Sequence, residues 1–391
     1  MQTQKMKTQP GDALPEDIWK VVFQKLPVNT LLRLRGVCKS WRTIIDSPAF
    51  ITEHFQHFNE NSYKNRLILI ERIGHLEWTD QVIRVVNFRL EEIAQITTIG
   101  KDCRVWETLN GLFLLQDNDY KPTLIPNLRL YNPYVNKSLD LPPCPLPVLP
   151  IDMFVLGFNS STKDYKVIGF RVKSSKLDEL SSEIKVYSCN DRCWKTKNVQ
   201  MNDAVMYRDI LLRDLHQPHF CQGAAHWLVR DVDDLFENTH VLSFDFGREE
   251  FRCVELPAES RRMKKFLFIF GKCLAVFCFT AERTDVWIMR EDDGERVPQN
   301  RWQLSDTKNS SLDACTFNEL KNFGIGARVT YDEQCGKLFA LRLDFRESNL
   351  MSYSIKSQQM ENCGRIVDNR IRYADTYVES LVNPLKKSKG D

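Results

Sequence analysis

The chain has 391 residues, with 54 basic against 52 acidic side chains and a formal net charge of +2. A chain of this length outgrows a single usual core and predicts two domains, one much the larger. The balanced charge excludes the electrostatic footprint of a nucleic-acid or anionic-membrane binder. The polar stretch MQTQKMKTQPGD, residues 1–12, reads as a disordered terminus without the apolar run of a secretion signal.

A helix is predicted from Pro15, which suits a first turn because its missing N–H costs nothing there. Glu16 and Asp17 sit at the positive end of its dipole, and Pro27 stops it near Leu26. Two stripes run along it. Ile18, Val21, Val22 and Lys25 form one, and Trp19, Phe23 and Leu26 form the other. A surface helix needs only one apolar stripe. A second short helix, capped by Asn29 or Thr30, carries Leu31, Leu32 and Leu34, and Gly36 weakens its end. A third opens at Val37-Cys38-Lys39-Ser40-Trp41-Arg42, with Ile44 and Ile45 inward, and Asp46-Ser47-Pro48 stops it. Three short helices in so few residues cannot bury this much apolar surface among themselves. Either the rest of the chain or another protein covers the excess.

From about residue 65 the helical period gives way to short runs of Val, Ile, Phe, Tyr and Trp broken by polar turns, an all-β reading. RLYNPYVNKSLDLPP, KVYSCNDRCWK, LSFDFGREEFRCVELP and MSYSIKSQQME resemble one another. Each holds an aromatic, a small polar residue, a turn and a further strand. Aligned on Tyr131, Tyr187, Phe244 and Tyr353 they recur at about 55 residues, with one member missing near residue 300, where DVWIMRE and RWQL lie. GLFLLQ, YKVIGF, GAAHWLV, KCLAVFCF and KLFALRL are continuous apolar runs, expected of inner strands buried on both faces. Residues 65–380 then make an all-β, kelch-like β-propeller of about six blades. The first blade is announced only by RLILIER, and a two-sheet β-sandwich is the alternative. FLFIFGKCLAVFCF, residues 266–279, is too short for a membrane span and reads as two strands around Gly271-Lys272.

The remaining motifs carry little chemistry. There is no phosphate loop and no nucleophile elbow, and Gly324-Ile325-Gly326 reads as a turn. His216, His219, Cys221 and His226 are the best metal candidates by ligand type, yet His226 falls on a buried strand, where one core hydrogen bond explains it. Cys189 and Cys193 face each other across a turn. Most of the twelve cysteines, among them Cys253, Cys273 and Cys278, read as small buried hydrophobes of a reducing compartment, cytoplasmic and/or nuclear. LPPCPLPVLP, residues 141–150, is a stiff inter-blade loop or a polyproline ligand. RDVDDLFENTH, residues 230–240, is a solvated acidic loop or a selector of basic partners. No metal and no cofactor is expected. Residues 381–391 read as a basic C-terminal tail, ending in Lys386-Lys387-Ser388-Lys389.

Two resemblances follow from these residues. Leu14-Pro15, Leu26-Pro27, Leu31, Leu34 and Val37 to Arg42 resemble an F-box, residues 13–58, with Gly36 a departure from the usual pattern. LNGLFLL, LYNPYVNKSLDLP, GFNSSTKDYKVIGF, VYSCNDRCWK, GAAHWLV, FDFGREEFRCVELP, DVWIMRE and YVESLV resemble the F-box-associated domain of plant F-box proteins, with Leu109 standing where that family more often has Cys. Defence-related and pollen self-incompatibility branches are both similar. The resemblance implies an α+β multidomain chain, a three-helix F-box followed by the propeller. It implies a substrate-recognition subunit of an SCF-type cullin-RING ubiquitin ligase, without an active site of its own. A Skp-type adaptor would bind Leu14, Pro15, Ile18, Leu26, Pro27, Leu31, Leu34, Val37, Cys38, Lys39 and Trp41, some of which would serve the core. Cullin and RING subunits would follow through the adaptor, and a target protein would bind the β domain. The alternatives are an F-box scaffold acting outside a ligase and a propeller enzyme with a helical lid.

Overall fold

The computed structural model describes residues 14–61, 66–73, 80–101, 103–117, 127–145, 152–171, 182–199, 218–230, 238–291, 300–309, 312–323, 328–343, 347–367 and 371–386. Four helices come first, not three: α1 (Glu16–Gln24), α2 (Val28–Leu34), α3 (Lys39–Ile45) and α4 (Pro48–Asn61). Pro27 starts α2 itself, so Asn29 and Thr30 lie inside its first turn rather than capping it. Gly36 falls in the turn beyond α2 and does not weaken it. The thiol of Cys38 caps α3, accepting from the Trp41 amide at 3.5 Å. The Ser47-Pro48 pair that ends α3 also begins α4. Ser47 Oγ accepts from the Phe50 amide at 3.2 Å, and proline at the first helical position lacks only a donor the helix would not use.

Six four-stranded antiparallel sheets follow. Blade one holds β1 (Arg66–Ile73), β2 (Asp80–Asn87) and β3 (Glu92–Lys101). Blade two holds β4 (Cys103–Leu109), β5 (Leu112–Asp117), β6 (Asn127–Asn132) and β7 (Lys137–Asp140). Blade three holds β8 (Asp152–Asn159), β9 (Asp164–Arg171), β10 (Ser182–Ser188) and β11 (Cys193–Val199), and blade four β12 (His219–Cys221), β13 (Ala224–Arg230), β14 (Asn238–Asp245) and β15 (Glu250–Glu255). Blade five holds β16 (Lys264–Phe270), β17 (Cys273–Phe279), β18 (Arg283–Glu291) and β19 (Asn300–Asn309). Helix α5 (Ala314–Lys321) separates it from blade six, which holds β20 (Thr330–Asp332), β21 (Lys337–Leu343), β22 (Glu347–Ser354) and β23 (Gln359–Val367). The last strand, β24 (Ile371–Thr376), pairs with β1 and completes blade one. This is a six-bladed propeller closed by its own C-terminal strand, and the sandwich alternative falls.

The continuous apolar runs are the second strands of their blades, and RLILIER is β1, the second strand of blade one. The innermost strands are the first ones, since β4 packs on β8, β12 on β16 and β16 on β20. A second strand is apolar on both faces because its alternate side chains feed two different cores. From β17, Leu274, Val276 and Cys278 face blade four, while Ala275, Phe277 and Phe279 face blade six. Each pair of adjacent blades encloses one such cluster. The cluster between blades one and two also contains Phe23, Val28, Leu31, Ile44, Ile45 and Phe50, so the helical core and the propeller core are continuous.

The aromatic and small-polar pair of the repeat ends the third strand. The small residue then caps the following turn: Asn132 accepts from the Tyr134 amide, Ser188 from Asp191, Asp245 from Gly247, and Ser354 from Ser357. The turn closes on a residue in the left-handed region: Asn136, Arg192, Glu249 and Gln358. The missing repeat member is β18, which ends in Arg290-Glu291 and carries no such pair.

Candidate functional site: an apolar face on the helical unit

Helix α1 sends its two stripes to different places. Trp19 and Phe23 turn inward, with ring centroids 5.6 Å apart. Trp41 from α3 lies against both, at 4.7 and 5.3 Å, and Phe50 from α4 meets Phe23 edge-on at 6.4 Å. Arg35, in the turn after α2, holds Asp46 at the end of α3 through two hydrogen bonds of 2.5 and 2.9 Å. His54 Nε2 lies 2.9 Å from the Leu26 carbonyl oxygen, and burial pushes its pKa down. These contacts fix the bundle without using the other stripe.

That other stripe remains in solvent. Leu14 is 52% exposed, Ile18 46%, Val21 52%, Val22 41% and Val37 63%. They are five of the eight large apolar side chains exposed among the described residues, so the surplus is local to this unit rather than scattered. Spacing of three and four residues along α1 puts Ile18, Val21 and Val22 on one side, and Leu14 lies just before the helix. Lys25, Arg33, Lys39 and Arg42 are exposed on the same unit, as are Glu16, Asp17 and Glu53, so its polar surface carries both signs.

Among the adaptor-facing candidates, Leu14, Pro15, Ile18, Pro27, Val37, Cys38 and Lys39 are exposed. Leu26, Leu34 and Trp41 are half-buried against the core. Leu31 is fully buried and serves the core alone, because α2 turns it against the other helices. Val21 and Val22 are missing from the candidate set yet share the exposed side with Ile18. Their place in the Ile18 stripe was the available signal.

The other candidate chemistry is absorbed by the fold. His226 Nδ1 lies 2.7 Å from Ser243 Oγ and its Nε2 3.3 Å from the Cys221 carbonyl, and burial pushes its pKa down to about 4. His219 sits 3.4 Å from the Val329 carbonyl. His216 lies outside the described residues, as do Gly324-Ile325-Gly326, residues 146–150 of the proline-rich run and 231–237 of the acidic one. Among the described residues no group of His, Cys, Asp or Glu is placed to hold a metal ion. Cys189 and Cys193 are free thiols, and burial pushes Cys189 up to about 12. Cys278 is buried and Cys273 half-buried, but Cys253 is exposed, because it lies on β15, an outermost strand with a solvent face.

Residues 377–386 form a strap, so the described part of the predicted basic tail, residues 381–386, lies against the propeller. Glu379 takes Arg66 at 2.6 Å and the Tyr134 hydroxyl at 2.9 Å. Asn132 Nδ2 donates to the carbonyls of Ser380 and Val382 at 2.9 and 2.8 Å, and Arg192 to that of Leu385 at 2.6 Å. The strap therefore ties blades one, two and three. Gly111, at φ +76°, has no room for a Cβ beside Ser380, which explains the Asn-Gly of LNGLFLL. Tyr377 and Leu381 lie in the same apolar cluster as the helical core. The Tyr377 amide donates to the Arg66 carbonyl at 3.1 Å, so the strap leaves the ring at the end where the helices enter it.

A compact helical unit with a bare apolar face, seated on a six-bladed propeller, defines a two-part binding protein. Residues 12–53 match the F-box domain, and residues 103–384 match the family described as the F-box associated beta propeller domain. The chain belongs to that family of F-box proteins. Among curated relatives, F-box protein CPR1 of Arabidopsis thaliana is 23% identical over 398 residues, spanning 94% of this chain and 88% of that protein. F-box/kelch-repeat protein At3g16740 of the same plant is 22% identical over 319 residues, spanning 73% and 76%. Among solved structures, TolB from Acinetobacter baumannii covers 84% of this chain and 71% of its own, with a TM-score of 0.45 and 10% identity.

Proposed function

We propose that this protein is the substrate-recognition subunit of an SCF-type cullin-RING ubiquitin ligase. The observation that carries the reading is the exposed stripe of Leu14, Ile18, Val21 and Val22 on a unit whose own core is complete without it. Water-exposed apolar area of this kind favours a partner by roughly 25 cal/mol for each Å² it covers. The F-box docks this face onto a Skp-type adaptor, and cullin and RING subunits join through the adaptor. The propeller binds a target protein. The helices and the strap occupy one end of the ring, so the connections leaving the other end stay clear of the adaptor. The chain contributes proximity rather than catalytic groups, raising the effective concentration of a target lysine at the conjugating enzyme. The target is then degraded, in the cytoplasm, the nucleus or both.

The test is co-purification with a plant Skp-type adaptor and its cullin, comparing the full chain with a chain carrying Ile18→Asp and Val22→Asp. Adaptor and cullin retained by the first and lost by the second support the ligase receptor. Adaptor without cullin makes the protein a scaffold. Equal retention by both chains removes the apolar face from the interface.

A further inference from the structure

The ring closes where blades six, one and two meet, and there it buries charge. Arg328 lies two residues before β20, Asp375 lies on β24 and Glu107 on β4. The guanidinium of Arg328 reaches Asp375 at 2.9 Å and also bonds Glu107. The two carboxyl side chains are 0% and 2% exposed, so water screens neither. Two carboxyls face one cation. Among the described residues, the titratable and charged groups around Glu107 are Arg328, Asp375 and, across the guanidinium, Tyr373.

The donors are divided unequally. Asp375 accepts from Thr108 Oγ1 at 2.7 Å, the Tyr373 hydroxyl at 3.0 Å and the Thr376 amide at 2.7 Å, besides Arg328. Among the described residues, Glu107 is bonded only through Oε1, and its buried Oε2 meets no hydrogen-bond partner. An ionised carboxylate with a bare buried oxygen is costly, and two carboxyls sharing one site do not both ionise readily.

We propose that Glu107 carries a proton in the folded chain at neutral pH, so that the ring is closed by one ion pair, Arg328 with Asp375, and a neutral carboxyl. Burial first, then Asp375, push Glu107 up from its ordinary 4.5 to about 8, against the pull of Arg328. The sign follows. Between those values the folded chain holds a proton that the unfolded chain has released. Stability therefore falls as pH rises through that window, and the penalty is complete above it. The joint between the first and last blades becomes a proton-sensitive closure.

The experiment is urea unfolding of the full chain and of Glu107→Gln from pH about 5 to about 9. Glutamine mimics the neutral carboxyl, so the variant is expected to match the wild type near the acid end and to exceed it by a margin that grows through the window up to about pH 8. A wild-type advantage at neutral pH that grows with pH, or a variant that fails to fold, overturns the proposal. The infrared carbonyl band of a neutral carboxyl supplies a second reading. It is expected in the neutral-pH difference between wild type and Glu107→Gln. It is expected to be absent in Asp375→Asn, where Glu107 is the only carboxyl left facing Arg328. Absence of the band from the wild-type difference also overturns the proposal.

Discussion

The helical unit and the propeller treat apolar side chains in opposite ways. In the propeller, the second strands bury nearly every apolar residue between two neighbouring blades, and β5 leaves none of Leu112, Phe113, Leu114 and Leu115 in solvent. In the helical unit Phe23, Leu31 and Phe50 are as deeply buried, yet Leu14, Ile18, Val21, Val22 and Val37 stay outside. The exposed face is therefore not a defect of a small core. The bundle is already joined to the propeller core, and the surplus has no internal use.

Three variants test that contrast, in order of falling effect on stability. Ending the chain after residue 370 removes β24 and the strap, leaving blade one without its innermost strand and Glu107 and Arg328 without Asp375. Cooperative urea unfolding should disappear, measured by far-ultraviolet circular dichroism. Phe23→Ala cuts the joint core where the two regions meet and should cost about 3–5 kcal/mol, as large aromatic truncations do. A loss confined to the helices, with the propeller unfolding unchanged, would show that the cores are not coupled. The Ile18→Asp, Val22→Asp chain should unfold within about 0.5 kcal/mol of wild type, as solvent-facing changes do. A larger loss would mean that this stripe packs on the chain's own fold.

Much of this was readable from the residues because local chemistry and tertiary use agreed. The aromatic and small-polar pairs at Tyr131, Tyr187, Phe244 and Tyr353 marked third strands because each small residue caps the next turn. The continuous runs marked second strands because both faces are covered, although they are not the innermost. Blade five hid its member because β18 lacks the capping pair. Helix α4 is hidden in the sequence because Pro48 reads as a stop for α3, though proline also starts helices. Helix α5 was missed because its pattern is short, and its cue, Asp313 accepting from the Thr316 amide at 2.7 Å, is a single residue. The place of Leu31 depends on how α2 rolls against its neighbours, and the strap and the Arg328 cluster depend on contacts hundreds of residues apart. Period and spacing carry neither.

The pairing of β24 with β1 has a consequence for synthesis. The helical unit precedes the ring in the chain, and its exposed apolar face needs only its own residues to be displayed. The ring cannot shut until residues 371–376 have left the ribosome, because the strand that completes blade one follows blades two to six in the chain. A chain interrupted late would thus show the exposed apolar face above an open propeller. Such a fragment would keep the exposed face of the intact chain on a propeller that cannot close, so a stop before residue 371 is expected to separate display of that face from completion of the ring.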